Sequence, residues 1–253
     1  IDQTRTWFYY LHVLATATFK KAGFKNVIVN GTVVAEDGKK MSKRLQNYPD
    51  PNIVMEKYGA DALRAFFLAS PVMQGENMNF SEKGVQESLR KNIMILWNVY
   101  SFYEMYAGDE KATTDSDFLL DQWILTRLQE LVSSVTTAME NYNPPKAMRP
   151  ITEFIDDLST WYLRRSRDRF KEDGKDKLAA LETMKYVLTE LAKIMAPFTP
   201  FVAEALWQKV PQHNFETEDK SVHLESWPET EKIKENILED MMTVRRIVEM
   251  GLA

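Results

Sequence analysis

Apolar side chains recur at helical spacing along most of this chain. Between residues 116 and 142, Ile124, Leu128, Leu131 and Val135 follow three- and four-residue steps, which predicts a long amphipathic helix. The same spacing predicts helices over residues 3–21, 52–69 (broken near Gly59), 81–107, 145–171, 175–196 and 200–209, a short strand at Ser221–Leu224 and a polar helix from about Pro228. Prolines and short connections separate these segments, so the pattern predicts a bundle of four or more antiparallel helices.

The first part of the chain has a different pattern. Seven of the nine glycines lie at or before Gly108, which predicts a mixed α/β segment there and a nearly all-helical remainder. Gly23 is expected to end the first helix. Two short strands, Asn26–Asn30 and Thr32–Glu36, are predicted before the turn dipeptide Asp37-Gly38.

Composition narrows the possible chemistry. The chain of 253 residues has no cysteine and three histidines that lie far apart, so disulfides, thiolate zinc sites and a structural metal are not expected. No apolar run reaches the ~18 residues that span a bilayer, so no membrane partner is expected. Because the net charge is −5, a nucleic-acid partner would have to be bound by a local basic patch.

One such patch follows the Asp-Gly turn, where Lys39, Lys40, Lys43 and Arg44 fall within six residues. Clustered cations on an exposed loop suit the neutralisation of polyphosphate charge that develops in a transition state. The alternative is a basic turn that is merely solvated.

A second patch lies at residues 161–171. The ten residues from 162 to 171 contain five basic side chains and one acidic side chain. On a helix these cations cover more than one face and alternate with aromatic residues, which suits a track for RNA phosphates. The candidates are Arg164, Arg165, Arg167, Arg169 and Lys171. The alternative is that they pair within the bundle with the acidic residues Glu153, Asp156 and Asp157.

Three motifs together resemble one family. The stretch AEDGKKMSKRLQNYPDP resembles the KMSKS-type loop of class I aminoacyl-tRNA synthetases, in the wording of the isoleucyl type. DQTRTWF at residues 2–8 resembles the segment that lines the adenylate pocket of isoleucyl-type enzymes. YGADALR at residues 58–64 carries the letters DALR, which name the helical anticodon-binding domain that follows. The motifs occur in the family's order, and the resemblance covers nearly the whole chain.

The resemblance implies roles for the basic loop Lys39–Arg44, which we call the lysine loop. Lys40 and Lys43 correspond to the two signature lysines, which hold the ATP triphosphate and stabilise the transition state of amino-acid activation, and Mg²⁺ accompanies the ATP. Met41 is expected to pack the loop against the protein, and Ser42 to donate its hydroxyl or hold the turn, so both belong to the ATP site. Lys39 is either a further phosphate contact or solvated.

The resemblance also implies a substrate pocket at the start of the chain. Asp2 and Gln3 would face the adenylate, and Trp7 would wall the isoleucine side-chain pocket. From the residues alone, the interpretation of Trp7 as helix core stays equally open. The chain departs from the family at Thr6, where the family has glycine, and this leaves the shape of the pocket open.

The expected fold class is mostly α. The C-terminal part of a Rossmann-like catalytic domain is expected over residues 1–75 and a helical anticodon-binding domain over residues 76–253. The implied function is ligation of isoleucine to tRNA(Ile) with ATP, by a cytoplasmic and monomeric enzyme. The chain begins inside a motif and lacks the family's HIGH-type ATP motif and editing domain, so it is expected to be a fragment that is inactive alone. The alternatives are a tRNA-binding module without catalysis, a valyl or leucyl specificity, and a helical interaction protein without RNA.

Overall fold

A computed structural model of the chain describes residues 2–42, 44–213, 220–230 and 233–252. The chain forms two compact units, Ile1–Asn30 and Gly31–Ala253. The predicted domain boundary between residues 75 and 76 falls inside the second unit and stays a prediction.

The first unit is built around one α-helix. A 3-10 turn, Asp2–Arg5, leads into α1, Trp7–Phe19, which lies within the predicted range. The helix ends because Lys20 adopts a left-handed conformation with φ of 52°. The prediction that Gly23 ends this helix is therefore wrong. Gly23 instead packs closely against the helix, where an added Cβ would lie 3.1 Å from Cγ of Leu11.

The side chains of α1 remain accessible within the first unit. None of its residues is buried, and Trp7 and Leu14 each expose 65% of their surface. Phe8 is half-buried, and its ring meets that of Phe24 edge-on with centroids 5.6 Å apart. The helical period is confirmed, whereas the interpretation of Trp7 as helix core gains no support from this unit.

The second unit begins with a small sheet. Strand β1, Val33–Val34, pairs in parallel with β2, Met78–Asn79. The predicted strand Thr32–Glu36 contains β1, but Asn26–Asn30 forms no strand, so that prediction is wrong. The reason is that β1 takes its partner from far downstream instead of from the neighbouring segment. The predicted turn is present, and Gly38 has the left-handed φ of 79° that favours glycine.

Two helices follow the lysine loop. They are α2, Pro51–Tyr58, and α3, Ala60–Leu68, and Gly59 separates them with a φ of 84°, as the sequence predicts. The Asp50 side chain caps α2 by accepting the N–H of Asn52 at 2.8 Å. These helices and the sheet surround a group of buried residues that we call the small cluster, namely Val54, Ala62, Phe80 and Val85.

The rest of the second unit is a helical bundle. Its elements are α4 (Glu82–Ser88), a π-helical segment (Leu89–Met94), α5 (Ile95–Glu104), α6 (Leu119–Glu140), α7 (Pro144–Asp156), a second π-helical segment (Asp157–Leu163), α8 (Arg164–Lys171), α9 (Lys175–Met195), α10 (Pro200–Lys209), a 3-10 turn (Val222–Leu224) and α11 (Glu235–Leu252). The mainly helical fold class is confirmed. The helices predicted over residues 81–107 and 145–171 each contain a π-helical segment, a feature often found at functional sites.

Near the end of the chain, one prediction is wrong and the start of a second predicted element is displaced. Ser221–Leu224 forms no strand, because the Ser221 hydroxyl accepts the N–H of His223 at 3.2 Å and starts a 3-10 turn. The polar helix predicted from about Pro228 begins only at Glu235.

One large apolar core, which we call the large cluster, holds the bundle together. Its fully buried side chains include the aromatic residues Trp123, Tyr103, Tyr162, Phe154, Phe170 and Phe198. Ala65 of α3 belongs to the large cluster, whereas Ala62, three residues earlier, belongs to the small cluster. Helix α3 therefore contacts both clusters.

Candidate functional site

The lysine loop is held at both sides of Met41 by one side chain. The Asn47 amide accepts the N–H of Ser42 at 2.9 Å and donates to the carbonyl of Lys40 at 3.2 Å. Lys40 also forms an antiparallel bridge with Val34 of β1. These contacts fix the backbone of the loop and leave the side chain of Lys40 exposed.

Lys39 and Lys40, the two lysines of the loop that the structure describes, differ in their surroundings. The Lys39 ammonium group lies 3.1 Å from the Asp37 carboxylate, and the hydrogen bond from the Lys39 N–H lowers the pKa of Asp37. No carboxylate of the described residues forms an ion pair with Lys40. Among the described residues, Lys40 therefore offers a cation without an ion pair, whereas the charge of Lys39 is partly balanced. Lys43 lies outside the described residues.

Met41 and Ser42 hold the loop in different ways. Met41 is half-buried and packs against the small cluster, as expected. The carbonyl of Ser42 accepts the N–H groups of Leu45 at 3.1 Å and Gln46 at 3.0 Å, so Ser42 closes a turn through its backbone. The roles of both residues in ATP binding stay predictions.

The residues predicted to bind the amino acid lie in the first two turns of the first unit. Asp2 begins the 3-10 turn, and the exposed Gln3 accepts a hydrogen bond from the Thr6 hydroxyl at 3.2 Å. The exposed ring of Trp7 starts α1. The φ of Thr6 is −114°, so the position where the family has glycine does not have a left-handed backbone here.

The exposed basic residues of α8 lie along the surface of the bundle. Arg164, Arg165 and Arg167 are exposed. The guanidinium of Arg165 stacks on the ring of Trp161 at 4.3 Å from its centroid, and Arg167 lies 5.9 Å from that of Phe102. These three arginines keep their charge at the surface. Lys171 is also exposed and lies 3.4 Å from the carboxylate of Asp168.

Arg169 differs from the other four basic residues because its guanidinium is tied into the bundle. Two of its N–H groups donate to the fully buried carboxylate of Asp121, each at 2.8 Å, and it also pairs with Asp176. Asp121 accepts further hydrogen bonds of 2.8 Å from Tyr162 and Ser116. Burial and the neighbouring Asp121 carboxylate raise the pKa of Tyr162 well above its ordinary value, so its hydroxyl remains a donor.

The partners named for internal pairing are not the ones that the structure contains. Glu153 pairs with Arg149 one turn away, and Asp156 accepts a hydrogen bond from Thr160 at 3.1 Å. Pairing does occur for Arg169, but with Asp121 and Asp176. That expectation about partners is therefore wrong, because the expected acidic residues have other partners.

Sequence reasoning missed a network around Asp157. This buried carboxylate lies 3.0 Å from the guanidinium of Arg127 and 2.6 Å from that of Arg245 on α11. Arg245 also stacks on Trp161, 5.0 Å from its centroid, so two arginines flank this ring. The network lines an open groove of about 980 Å³ between the first π-helical segment, α6, α7 and α11. No local sequence pattern predicts this network, because its members come from helices that are far apart in the sequence.

Other kinds of site are not evident in the part of the chain that the structure describes. No helix there is long and apolar enough to cross a membrane. Within the same residues, no group of three or more His, Cys, Asp or Glu side chains could hold a metal ion.

Two family profiles match the chain. Residues 1–79 match the family described as tRNA synthetases class I (I, L, M and V), and residues 121–251 match the anticodon-binding domain of tRNA ligase.

Curated relatives match the chain over its whole length. Isoleucine–tRNA ligase of Chlamydia trachomatis serovar D is 45% identical over 99% of this chain, and those of Treponema denticola and Protochlamydia amoebophila are 42% and 41% identical over 100% of it. The chain spans about a quarter, 25%, of the length of these relatives.

A solved structure has a similar fold. It is the crystal structure of the ternary complex of Agrobacterium radiobacter K84 agnB2 LeuRS-tRNA-LeuAMS, with a TM-score of 0.64 and 22% identity over 90% of this chain and 27% of that one. At this identity the likeness concerns the fold alone. The matches to isoleucine–tRNA ligases cover nearly all of the chain. The profile of the anticodon-binding domain of tRNA ligase covers more than half of it, so the chain belongs to the family of anticodon-binding domains of tRNA ligases.

Proposed function

We propose that the protein containing this chain is an isoleucine–tRNA ligase, which activates isoleucine with ATP and transfers it to tRNA(Ile). The observation that carries the proposal is the identity of 41–45% to isoleucine–tRNA ligases over 99–100% of this chain, both basic regions included. Within that protein, the chain would supply the lysine loop and a tRNA-binding bundle. We propose a cytoplasmic location, where tRNA is charged, and a monomer, because the bundle encloses its own apolar core.

In this proposal the lysine loop acts on the ATP triphosphate. Lys40 is exposed, and Asn47 holds its backbone in place. Beside the triphosphate, Lys40 and Lys43 would stabilise the negative charge that develops in the transition state, while Met41 and Ser42 set the position of the loop. We assign Mg²⁺ to the triphosphate itself, since the described residues contain no metal-holding group.

Isoleucine would be recognised at the start of the chain. Asp2 and Gln3 are proposed to face the adenylate, and the ring of Trp7, 65% exposed within its unit, is available to line an apolar side-chain pocket.

The bundle would bind tRNA through α8. Arg164, Arg165 and Arg167 have exposed guanidinium groups, which suit contacts to phosphate oxygens, and Lys171 extends the same helix. We assign Arg169 a supporting role, because Asp121 already occupies two of its N–H groups.

The test uses the full-length protein that contains this chain. Amino-acid-dependent ATP–pyrophosphate exchange should be fastest with isoleucine, and exchange with valine, which lacks one methylene, should be about 10–200-fold less efficient. Aminoacylation of tRNA(Ile) should follow. A preference for valine or leucine would replace the isoleucine assignment. Binding of tRNA without exchange for any amino acid would favour a tRNA-binding protein without catalysis.

A further inference from the structure

At the corner between α9 and α10, helix α10 begins without a side-chain cap of its own. Helix α9 ends at Met195 and α10 begins at Pro200. Thr199 occupies the N-cap position of α10, but its side chain accepts no N–H group of that helix. The first N–H groups of α10 and the carbonyls of the connecting residues therefore need partners from elsewhere in the fold.

Both partners come from α3. The carboxylate of Asp61 accepts the N–H of Val202 at 2.7 Å. The guanidinium of Arg64 donates to the carbonyl of Phe198 at 3.2 Å and to that of Pro197 at 3.0 Å. Asp61 and Arg64 are three residues apart, so they lie on the same face of α3 and reach the corner together. We call this pair and its contacts the clasp.

The charges of the clasp match the ends of the two helices. An anion is favoured at the positive N-terminal end of α10, and a cation is favoured at the negative C-terminal end of α9. The match has a cost, because Asp61 is only 4% exposed and its Oδ1 atom has no hydrogen-bond partner among the described residues. Burial raises the pKa of Asp61, although the N–H groups of Val202 and Phe201 and the charge of Arg64 oppose this effect. A carboxylate with one unpaired buried oxygen contributes poorly to stability, so stability alone does not account for it.

Helix α3 also joins the two parts of the second unit. Ala62 packs in the small cluster, on which Met41 of the lysine loop lies, and Ala65 packs in the large cluster of the bundle. The clasp therefore ties the support of the lysine loop to a corner of the bundle.

We infer that Asp61 and Arg64 are positioning residues that keep the lysine loop in a fixed relation to tRNA held by the bundle while isoleucine is transferred. This inference rests on the proposed function. The pair touches neither ATP nor tRNA. Without the clasp, each cluster keeps its own packing, but the loop and the bundle can shift relative to one another. Transfer of isoleucine to tRNA requires the lysine loop and the bundle to be in place together, whereas activation of isoleucine requires the lysine loop and the small cluster only.

The experiment compares two reactions of the full-length protein, namely isoleucine-dependent pyrophosphate exchange and aminoacylation of tRNA(Ile). Asp61→Ala and Arg64→Met should lower kcat of aminoacylation about tenfold to a hundredfold, because a displacement of about 1 Å is enough for such a loss. Both should leave exchange and the KM for tRNA nearly unchanged. Asp61→Asn keeps an oxygen acceptor for the N–H of Val202 and should recover most of the loss.

Lys57→Met is the matched control. It removes an exposed ion pair with Glu82, 2.5 Å long, beside the small cluster and away from the corner, and it should change neither reaction. Circular dichroism reports whether each variant folds. If Asp61→Ala does not fold, Arg64→Met still tests the inference, because Arg64 is exposed and its replacement leaves no buried gap.

Three results would overturn the inference. They are an equal loss in both reactions, no loss in either, and a rise in the KM for tRNA at unchanged kcat, which would make the pair a tRNA contact. Failure of the proposed function is visible separately, because the unsubstituted protein would then show no isoleucine-dependent exchange.

Discussion

The Arg169→Met substitution should destabilise the bundle strongly while changing tRNA affinity little. Arg169 donates two hydrogen bonds of 2.8 Å to Asp121, whose side chain is fully buried. Methionine keeps an unbranched stem of similar length to the aliphatic part of arginine and has no charge. The substitution would therefore leave the Asp121 carboxylate inside the bundle with only the hydroxyls of Tyr162 and Ser116 as partners among its described contacts.

The expected magnitude follows from this burial. Removing one partner of a buried ion pair costs about 3–5 kcal/mol, because the remaining charge is uncompensated. For a domain of this size, each kcal/mol lowers the melting temperature by about 2–4 °C, so a fall of about 6–20 °C is expected. The same substitution at the exposed Arg164 on the same helix should cost about 0–1 kcal/mol.

Thermal unfolding followed by circular dichroism, with filter binding of tRNA at several salt concentrations, separates the two roles. The double variant Asp121→Asn/Arg169→Met should be more stable than Arg169→Met alone, because it removes the orphaned charge. The reasoning would be refuted if Arg169→Met left the melting temperature unchanged and weakened tRNA binding as much as Arg164→Met does. Arg169 would then be a tRNA contact, and the ion pair with Asp121 would contribute little.

Four further outcomes are expected. Lys40→Ala in the full-length protein should raise the barrier to activation by about 2–4 kcal/mol, seen as a lower kcat of pyrophosphate exchange with little change in isoleucine affinity. Replacing Arg164 and Arg167 with alanine should reduce the log–log salt slope of tRNA binding by about one unit per lost phosphate contact, measured by titration at several salt concentrations. Gly31→Ala should disrupt the pairing of β1 with β2, because its Cβ would lie 1.7 Å from the carbonyl oxygen of Glu76; a lower melting temperature should show it. Burial raises the pKa of Asp61, so the folded chain holds the proton of this carboxyl more tightly than the unfolded chain does. The free energy of unfolding should therefore fall as the pH rises through the folded pKa. Urea unfolding at several pH values should show this fall, and Asp61→Asn should lack it.

Periodic elements could be predicted from the sequence because their pattern and their packing agree. Helix α6 was expected over residues 116–142 and spans Leu119–Glu140, since the apolar stripe that defines its period is also the face buried in the large cluster. Strands of two residues carry no such signal. The partner of β1 lies at Met78–Asn79, and nothing local to Val33 indicates it.

The candidate site could be located but not resolved from the sequence. Arg164 and Arg169 have the same side chain on the same helix. The positions of Asp176 and of Asp121, which is 48 residues from Arg169, distinguish a surface charge from a buried ion pair. The letters DALR likewise locate Asp61 and Arg64 in the sequence without indicating what these side chains contact. Their contacts at the corner depend on a tertiary arrangement that no local pattern encodes.

The clasp also fixes an order of events during synthesis of the chain. Every residue of the small cluster lies between Val54 and Val85, so this cluster can form soon after it leaves the ribosome. The partner of Asp61 is Val202, 141 residues later, which at about 5–20 residues per second takes about 7–28 s to appear. During that interval the carboxylate of Asp61 lacks the N–H of Val202, so the clasp can close only after α10 has been made. The lysine loop can therefore assemble on the small cluster before the clasp closes.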